Sequence, residues 1–334
     1  MTPDVSVILP FFNAENTLEK AVESILEQTF SSFEIVLVDN NSTDKSLSIA
    51  DAFVRKDSRV RLLHEPRQGV DCAMNCGLDH ARGRLIARMD ADDFALPQRL
   101  EKQVCFLKKN SEIGLVGSAV KYVPHNSRVA GFRRFVKWTN SFYALEEIDR
   151  YRFVEIPVVN PTILFRRELF EKFGGCRSGD FPEDYEMQLR YLEAGVKMAK
   201  LPDQLLEWHD FSTRLTRTNE RYTDEAFFRI KAKYFRKWSE QNNRFHPNIW
   251  VWGAGRKTRQ RARLLADEGL VINGYIDVVA GKTTKKITLH YSQITPSAEM
   301  FIVPMVGNYG VRDKIREFLL EKKFAEGEDF IFLA

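Results

Sequence analysis

Residues 84–93, which read RLIARMDADD, are the most informative stretch of this chain for its fold. The apolar run 85–89 has the length of a buried strand, and Asp90, Asp92 and Asp93 come directly after it. A strand that ends in Asp-x-Asp brings carboxylates to the carboxyl edge of a sheet, where open α/β proteins bind their ligands. Carboxylates at this spacing suit a hard divalent cation, which in turn holds the oxygens of a diphosphate. A short acidic triplet is also typical of a solvated turn, so the surrounding sequence has to decide between a cation site and a turn.

Strand and helix patterns alternate strictly on both sides of this stretch. We predict strands at 5–9, 34–38, 60–64 and 85–89, and helices at 18–26, 44–55 and 70–82. Such alternation implies βαβ units and a mostly parallel sheet with helices on both faces. Further along, 114–123 is predicted to be a strand, and the polar and basic stretch 124–140 is predicted to be a loop.

The chain makes a second start after the polar break at 241–247. Here we predict strands at 249–252, 271–276, 301–305 and 330–333, and helices at 257–268 and 311–322. A chain of 334 residues is too long for one ordinary core. We therefore predict an α/β domain at 1–222, a helical linker at 223–246 and a small Rossmann-like α/β domain at 247–334.

Composition is that of a soluble globular protein, with 44% hydrophobic and 29% charged residues. The net charge of +4 does not indicate nucleic-acid binding, and it would not oppose an anionic substrate or membrane surface. No apolar stretch approaches the ~20 residues of a membrane-spanning helix. The first residues lead directly into a strand, which predicts no secretory signal. Four cysteines without zinc-like spacing fit reduced thiols in a cytoplasmic protein, with any membrane contact peripheral and at the inner face.

A second polar segment, 36–44, reads VLVDNNSTD. Asp39 ends a predicted strand, and Ser42, Thr43 or Asp44 can cap the next helix. Capping explains these last three residues well. It explains Asp39 less well, because a strand-end carboxylate that points into the crevice should have a partner.

Four segments together carry a family resemblance: VSVILPFFN at 5–13, VDNNSTD at 38–44, RMDADD at 88–93 and PEDY at 182–185. They resemble the family 2 inverting glycosyltransferases over roughly residues 4–215, and four motifs in the same order make the resemblance specific. It implies a GT-A-like fold and the transfer of a sugar from a nucleotide-sugar, preferably a UDP-sugar. The acceptor would be a hydroxyl group of a glycan or of a lipid-linked molecule.

The resemblance also implies which residues hold the donor. The strand-end residues 10–12 would border the nucleotide base, and Asp39 would hydrogen-bond its pyrimidine ring. Arg214 and Arg217 either clamp the diphosphate through their planar forks or belong to a solvated face. The full set implied to bind the nucleotide-sugar is Pro10, Phe11, Phe12, Asp39, Arg67, Arg88, Asp90, Ala91, Asp92 and Arg214.

A divalent cation, Mn²⁺ or Mg²⁺, is implied as cofactor. Asp92 would bind it directly, and Asp90 would contact either the cation or the ribose. His209 would lie near the cation and the diphosphate, and Asp93 is expected only to cap the next segment of chain. Asp184 would be the general base, because a sugar hydroxyl is a poor nucleophile that must lose its proton during attack. The cation would neutralise the departing diphosphate, and a single base with in-line displacement predicts inversion.

Structural interpretations compete with some of these roles. Glu183 and Asp184 could simply begin a helix, where acidic residues complement the dipole, and this explains Glu183 as well as function does. His209 beside Trp208 could be a packed, hydrogen-bonded histidine.

The chain departs from the family pattern at two positions. Asn40 stands where a second aspartate is frequent, and Met74 where members commonly carry arginine. A donor contact from that arginine would be lost or supplied by Arg67 or Arg88. Both changes leave open which nucleotide-sugar is used.

In the second domain, Gly253-Ala254-Gly255 follows a strand and precedes a helix, as in a dinucleotide-binding turn, although Thr258 takes the third glycine position. Asp277 falls where a ribose-binding acid would lie. Gly253, Gly255 and Asp277 are therefore a candidate second nucleotide site, although such a turn could only tighten the junction. The domain resembles small Rossmann-like domains attached to some sugar-modifying acyltransferases, and a docking or nucleotide-sensing role is preferred over bound NAD.

Two alternative functions remain from the sequence. An NAD-dependent sugar-modifying enzyme is disfavoured, because no Tyr-x-x-x-Lys pair accompanies the glycine turn. A non-catalytic nucleotide-sugar-binding protein would keep the pocket without turnover. The helix at about 224–240 carries an aromatic stripe amid basic residues, which we expect to pack on a domain rather than on an anionic lipid surface.

Overall fold

A computed structural model describes residues 2–125, 130–279, 286–296, 299–308 and 310–334. The chain divides into two compact units, one made of 1–148 and 157–219 and the other of 149–156 and 220–334. The helix that the sequence assigns to a linker thus belongs to the second unit, together with the short segment 149–156. The predicted domain bounds at 222 and 246 remain a prediction.

The first unit is built on a sheet of eight strands within its described residues, in the order β3-β2-β1-β4-β7-β6-β8-β5. The strands are β1 (Val5–Phe11), β2 (Phe33–Asp39), β3 (Val60–His64), β4 (Leu85–Arg88), β5 (Phe94–Ala95), β6 (Ile113–Pro124), β7 (Leu164–Arg166) and β8 (Lys197–Asp210). β7 runs antiparallel to β4 and β6, and β5 runs antiparallel to β8. The other pairings are parallel. The predicted α/β fold with a mostly parallel sheet is confirmed.

Helices follow the strands in the predicted alternation. They are α1 (Leu18–Leu26), α2 (Ser46–Lys56), α3 (Val70–His80), α4 (Arg99–Lys109), α5 (Ala130–Thr139), α6 (Leu145–Tyr151), α7 (Arg167–Phe173), α8 (Glu183–Glu193) and α9 (Leu215–Thr218). In α1 the buried residues are Leu18, Ala21, Val22 and Ile25, which is the spacing of one helical face. β1, β2 and β4 are almost entirely buried, because a parallel sheet is covered on both sides.

The predicted loop at 124–140 is wrong, because it contains α5. Its aromatic residues Phe132, Phe135 and Trp138 recur at helical spacing between basic residues, and the rings of the first two lie 4.7 and 6.2 Å from Trp208. Lys200 Nζ donates to the carbonyl of Thr139 at the end of the helix (2.5 Å). The helical spacing of these aromatic residues is present in the sequence, but the prediction of a loop is based on the polar and basic composition of the segment.

The second unit contains a parallel sheet of four strands in the order β11-β10-β9-β12 within its described residues. Its elements are α10 (Asp224–Asn242), β9 (Asn248–Trp252), α11 (Arg256–Asp267), β10 (Val271–Asp277), β11 (Ile287–His290), β12 (Ile302–Pro304) and α12 (Val311–Glu321). The predicted strand at 330–333 is wrong, because this segment forms isolated bridges rather than a strand, although Ile331 N and Leu333 N donate to the carbonyls of Ile302 and Pro304 in β12. β11 was not predicted, since its four residues, Ile287–His290, are too few to identify a strand by pattern alone.

The aromatic stripe of α10 packs inside its own unit. Tyr234 and Trp238 are buried, and the rings of Phe235 and Trp238 lie 5.6 and 6.0 Å from that of Phe153. The packing interpretation of this helix is therefore confirmed. Among the described residues, no helix is both long enough and apolar enough to cross a membrane.

Candidate functional site

The carboxyl ends of β1, β2 and β4 lie at one edge of the first sheet, because these strands are parallel neighbours. Asp39 ends β2, where it pairs in register with Phe11 on one side and His64 on the other. Its carboxylate is buried, accepts a hydrogen bond from Ser42 N (3.1 Å) and lies 3.0 Å from Nδ1 of His64. The expected partner of Asp39 is thus His64, a residue that the sequence analysis did not single out.

Asn40 holds the segment 65–69 through side-chain hydrogen bonds, a role that we call the Asn40 clasp. This role explains why an asparagine stands where the family pattern frequently has an aspartate. The buried Asn40 side chain donates to the carbonyls of Glu65 (2.9 Å) and Arg67 (2.8 Å), and its Oδ1 accepts from Gly69 N (2.8 Å). An aspartate could accept but could not donate, so it would leave the two carbonyls facing a carboxylate.

We expect Asn40→Asp to lower the free energy of unfolding by about 2–4 kcal/mol, because two buried donor bonds are replaced by repulsion between oxygens. Chemical denaturation would measure the change. Asn41→Asp is the matched control: Asn41 has a positive φ of 67° and bonds Pro66 O, but it is not buried. Equal losses in the two variants would contradict the clasp.

Pro10 and Phe11 at the end of β1, and Phe12 directly after it, differ in the groups that they offer to a ligand. Phe11 lies in the hydrophobic core with 3% exposure, so it offers its carbonyl, which accepts from Asn40 N, rather than its ring. Phe12 is half exposed and Pro10 is partly buried. Of the two phenylalanines expected to border a base, only Phe12 has a ring accessible to a ligand.

Asp90, Asp92 and Asp93 form a carboxylate cluster, in which one oxygen from each lies within 4.8 Å of the others. Asp93 is fully buried and accepts from His209 N (2.9 Å), while its second oxygen has no hydrogen-bond partner among the described residues. The expectation that Asp93 only caps the next segment is therefore wrong. Three carboxylates with one unpartnered buried oxygen fit a hard divalent cation such as Mn²⁺ or Mg²⁺.

The electrostatics of the cluster point the same way. Burial raises the pKa of the Asp92 carboxyl, and the neighbouring Asp90 raises it further, against the opposing charge of Arg214. Burial also raises the pKa of Asp93 well above its usual range. A bound cation would favour the ionised carboxylates, which burial alone disfavours. Ala91, partly buried between them, leaves this turn free of a bulky side chain.

Arg88 ends β4, binds Asp90 of the cluster and is close enough to Asp184 for their charges to interact. Its buried guanidinium donates from Nε to Asp90 Oδ1 (2.9 Å). Burial lowers the pKa of Arg88, but the charges of Asp90, Glu183 and Asp184 outweigh this and raise it above its ordinary value. The positive charge of Arg88 therefore acts on Asp92 in the carboxylate cluster and on Asp184.

Asp184 is the second residue of α8, and its Oδ1 accepts from the backbone N–H of Tyr185 (2.7 Å). Burial raises the pKa of the Asp184 carboxyl, and Arg88 opposes part of that shift. Glu183, one residue earlier, is also buried. Both acids begin the helix, as the structural interpretation has it, and a carboxylate with a raised pKa is also a better proton acceptor.

His209 lies at the end of β8, outside the group of carboxylate oxygens. Its Nδ1 is 2.8 Å from Nε2 of His125, and its ring meets Phe94 at 4.2 Å. Burial lowers its pKa, as does the charge of His125. These contacts support the packed-histidine interpretation, and metal binding by His209 stays a prediction.

Arg214 lies beside the cluster with only 10% of its side chain exposed, rather than on a solvated face. Its guanidinium donates to the carbonyl of His209 (2.7 Å), lies 5.0 Å above the Trp208 ring and is 4.0 Å from Asp93 Oδ1. The charges of Asp93 and its acidic neighbours raise the pKa of Arg214 against the effect of burial. Arg217 is about one-third exposed and pairs with Asp210 at 2.5 Å.

Arg67 forms an ion pair with Glu65, outside the carboxylate cluster. It binds Glu65 through Nε (2.8 Å) and Nη2 (2.9 Å), and this hydrogen bonding lowers the pKa of Glu65 to about 2. Met74, at the position where arginine is common, is completely buried in the core. If Arg67 contacts the nucleotide-sugar, it would therefore do so with a guanidinium that also binds Glu65.

The glycine turn of the second unit is held by Asp277. Gly253 has a φ of 110°, which favours glycine, whereas Gly255 at −69° has no such need. Asp277 is buried at the end of β10 and accepts from Ala254 N (2.8 Å). This carboxylate therefore tightens the turn, whether or not it also meets a ribose.

Comparison with known sequences gives consistent matches. The family model described as Glycosyl transferase family 2 matches residues 6–174. EpsE of Bacillus subtilis, named as a glycosyltransferase, is 32% identical over 238 residues, or 69% of this chain and 82% of EpsE. AmsE of Erwinia amylovora, named as an amylovoran biosynthesis glycosyltransferase, is 29% identical and covers 60% of this chain and 74% of its own.

Solved structures share the fold. TarS of S. aureus, in complex with UDP-GlcNAc, aligns with a TM-score of 0.57 at 17% identity, over 79% of this chain and 71% of TarS. The mannosyltransferase PcManGT of Pyrobaculum calidifontis, in complex with GDP-Man and Mn²⁺, gives 0.53 at 20% identity, over 81% and 70%. These likenesses establish a GT-A-like architecture.

Proposed function

The chain belongs to glycosyltransferase family 2, and we propose that it is an inverting enzyme that moves a sugar from a nucleotide-sugar to an acceptor hydroxyl. The observation that carries the proposal is the carboxylate cluster, in which oxygens of Asp90, Asp92 and Asp93 lie within 4.8 Å of one another. The proposal also uses Asp39, at the carboxyl end of β2 and separated from β4 by β1, and Asp184, whose charge acts on Arg88 together with that of Asp90.

On the donor side, Asp39 and Phe12 would contact the base and Asp92 and Asp90 would hold the cation, with His209 as the further candidate ligand. A bound Mn²⁺ or Mg²⁺ would supply Lewis-acid stabilisation of the leaving diphosphate. Arg214 adds a fixed positive charge beside the same carboxylates. A UDP-sugar is the preferred donor, and the UDP-GlcNAc and GDP-Man complexes of the structural neighbours support a nucleotide-sugar in general.

On the acceptor side, Asp184 would accept the proton of the attacking hydroxyl. Burial raises its pKa, which strengthens it as a base near neutral pH. With one base and in-line attack, the anomeric configuration inverts. The name of AmsE, which refers to amylovoran biosynthesis, supports a glycan or a lipid-linked glycan precursor as acceptor. Such an acceptor would place the enzyme in the cytoplasm, with peripheral contact at the inner face of the membrane.

The pH dependence of transfer should report Asp184. Because the base must be ionised and burial raises its pKa, the acid limb of kcat/KM should lie above the ordinary pKa of an aspartate. Arg88 lowers the Asp184 pKa, so Arg88→Gln should move this limb to higher pH. Arg67→Gln is the control, since its partner is Glu65. A limb that stays in place in Arg88→Gln would contradict the coupling.

The test of the function is release of nucleoside diphosphate from a panel of UDP- and GDP-sugars, with a range of acceptors, with and without Mn²⁺. Metal-dependent, acceptor-dependent release supports a transferase. Tight nucleotide-sugar binding without turnover of any donor would instead favour the non-catalytic binding protein.

The second unit supplies a further candidate function, a nucleotide-sensing or docking domain of Rossmann-like type at 247–334. The glycine turn and the Asp277 carboxylate at strand ends of one sheet favour it. Thermal shift of the whole protein with NAD and with UDP tests it, using Asp277→Asn for comparison. A shift with NAD that disappears in this variant would revive the NAD-dependent alternative.

A further inference from the structure

Arg99, near the start of α4, is the largest completely buried side chain of the described residues, with 0% exposure. Arginine is almost never fully buried unless it is paired. Its guanidinium is too far from every carboxylate of the described residues to form an ion pair of the usual length. The desolvated charge therefore has to be offset by hydrogen bonds and by acids at longer range.

The polar contacts of Arg99 lead to the end of β4 and to its own helix. Its Nη2 donates to the carbonyl of Arg88 (2.6 Å), Nη1 lies 3.3 Å from Met89 Sδ, and Nε donates to Gln103 Oε1 (3.3 Å). Burial lowers the pKa of Arg99 to about 10, and the charges of Asp90 and Asp93 act in the opposite direction. The planar fork thus lies against the last two residues before the carboxylate cluster.

Gln103, one turn further along α4, extends this contact to the neighbouring chain segments. Its Nε2 donates to the carbonyls of Thr162 (2.7 Å) and Val116 (3.2 Å). The backbone N–H of Arg88 in turn donates to Ile163 O (3.1 Å). The peptide groups of Arg88 are therefore bonded to α4 and to the segment that precedes β7, and Gln103 binds α4 to that segment and to β6.

We propose that Arg99 is a positioning residue for the cation site, because its fork fixes the Arg88–Met89 backbone that leads directly into Asp90, Asp92 and Asp93. An apolar side chain would fill the same space without the cost of burying a charge, so the hydrogen-bonding fork has a specific use here. Arg99 does not touch the ligands and acts through the main chain that carries them. The inference rests on the proposed function in one respect, since the divalent cation belongs to that proposal.

The test measures Mn²⁺ binding to the full chain in the presence of UDP and without acceptor, by the electron paramagnetic resonance signal of free Mn²⁺. Removal of a group that supports metal ligands typically weakens metal binding about 10–100-fold, and we expect this for Arg99→Met. Arg99→Lys should give an intermediate loss, because one ammonium can meet the Arg88 carbonyl but cannot also reach Gln103. Leu107→Ala, at a buried position of the same helix, should lower thermal stability without changing Mn²⁺ affinity.

Two results would overturn the inference. One is an Mn²⁺ affinity within twofold of wild type in both Arg99 variants, or in Arg99→Lys alone if Arg99→Met does not fold. The other is an equal loss in Leu107→Ala, which would mean that general loosening of α4 is responsible. If wild type itself binds no Mn²⁺ with UDP, the metal-assisted function falls together with the inference, and that outcome is distinct from unchanged binding in the variants alone.

Discussion

Asp184→Asn is expected to lower the rate of sugar transfer about 10³-fold while nucleotide-sugar binding stays within a few-fold of wild type. The amide keeps the shape of the side chain and can still accept the hydrogen bond from Tyr185 N. It cannot take up a proton from the acceptor hydroxyl. Loss of kcat with an unchanged dissociation constant of the donor, measured by nucleoside diphosphate release and by calorimetry, is the signature of a lost base.

Glu183→Gln provides the control for Asp184→Asn, since Glu183 is also buried and begins the same helix. If these acids only complement the helix dipole, both variants should lose a little stability and neither should lose much activity. Asp184→Asn that keeps more than a tenth of the wild-type rate would remove Asp184 from the role of base. Comparable losses of rate in both variants would contradict the assignment of the base to Asp184 rather than to Glu183.

Asp92→Asn should weaken Mn²⁺ binding about 10²-fold or more and should lower kcat/KM by a similar factor at limiting cation. The carboxylate is a charged oxygen ligand, whereas the amide offers only a neutral carbonyl oxygen to a hard cation. Raising the concentration of Mn²⁺ should recover part of the activity. Titration of the initial rate against Mn²⁺ measures both effects.

Asp51→Asn is a suitable control, because Asp51 is exposed on α2. It changes the charge of the chain by the same amount at a surface site. An Asp92→Asn enzyme with an unchanged Mn²⁺ dependence would exclude Asp92 as a ligand. Asp90→Asn would then be the next variant to measure, since Asp90 is also bound by Arg88.

Local periodicity in the sequence predicted a large part of the fold. The alternation of strands and helices up to residue 89 is reproduced to within a few residues, because buried parallel strands and amphipathic helices carry strong patterns. The prediction failed where composition obscured the period. α5 carries its apolar face on aromatic residues among arginine and lysine, and the four residues of β11 are too few to identify a strand by pattern alone.

The candidate site divides in the same way. Strand-end acids such as Asp39 and Asp92 stand out, because a polar residue after an apolar run is visible in one dimension. Partners distant in sequence were not predicted. His64 meets Asp39 through the register of β2 and β3, and Arg99 reaches Arg88 only because the fold brings the first residue of α4 to the end of β4.

Residue order and spacing were enough to establish the α/β class, the resemblance to family 2 glycosyltransferases and the acids that could form a site. The surroundings of each acid, in contrast, depend on how distant segments pack. Asp93 is buried with one oxygen that has no hydrogen-bond partner among the described residues, and the Arg214 side chain lies beside it and is mostly shielded from solvent. Burial and charge proximity arise from segments far apart in the chain, so no local pattern could have revealed them.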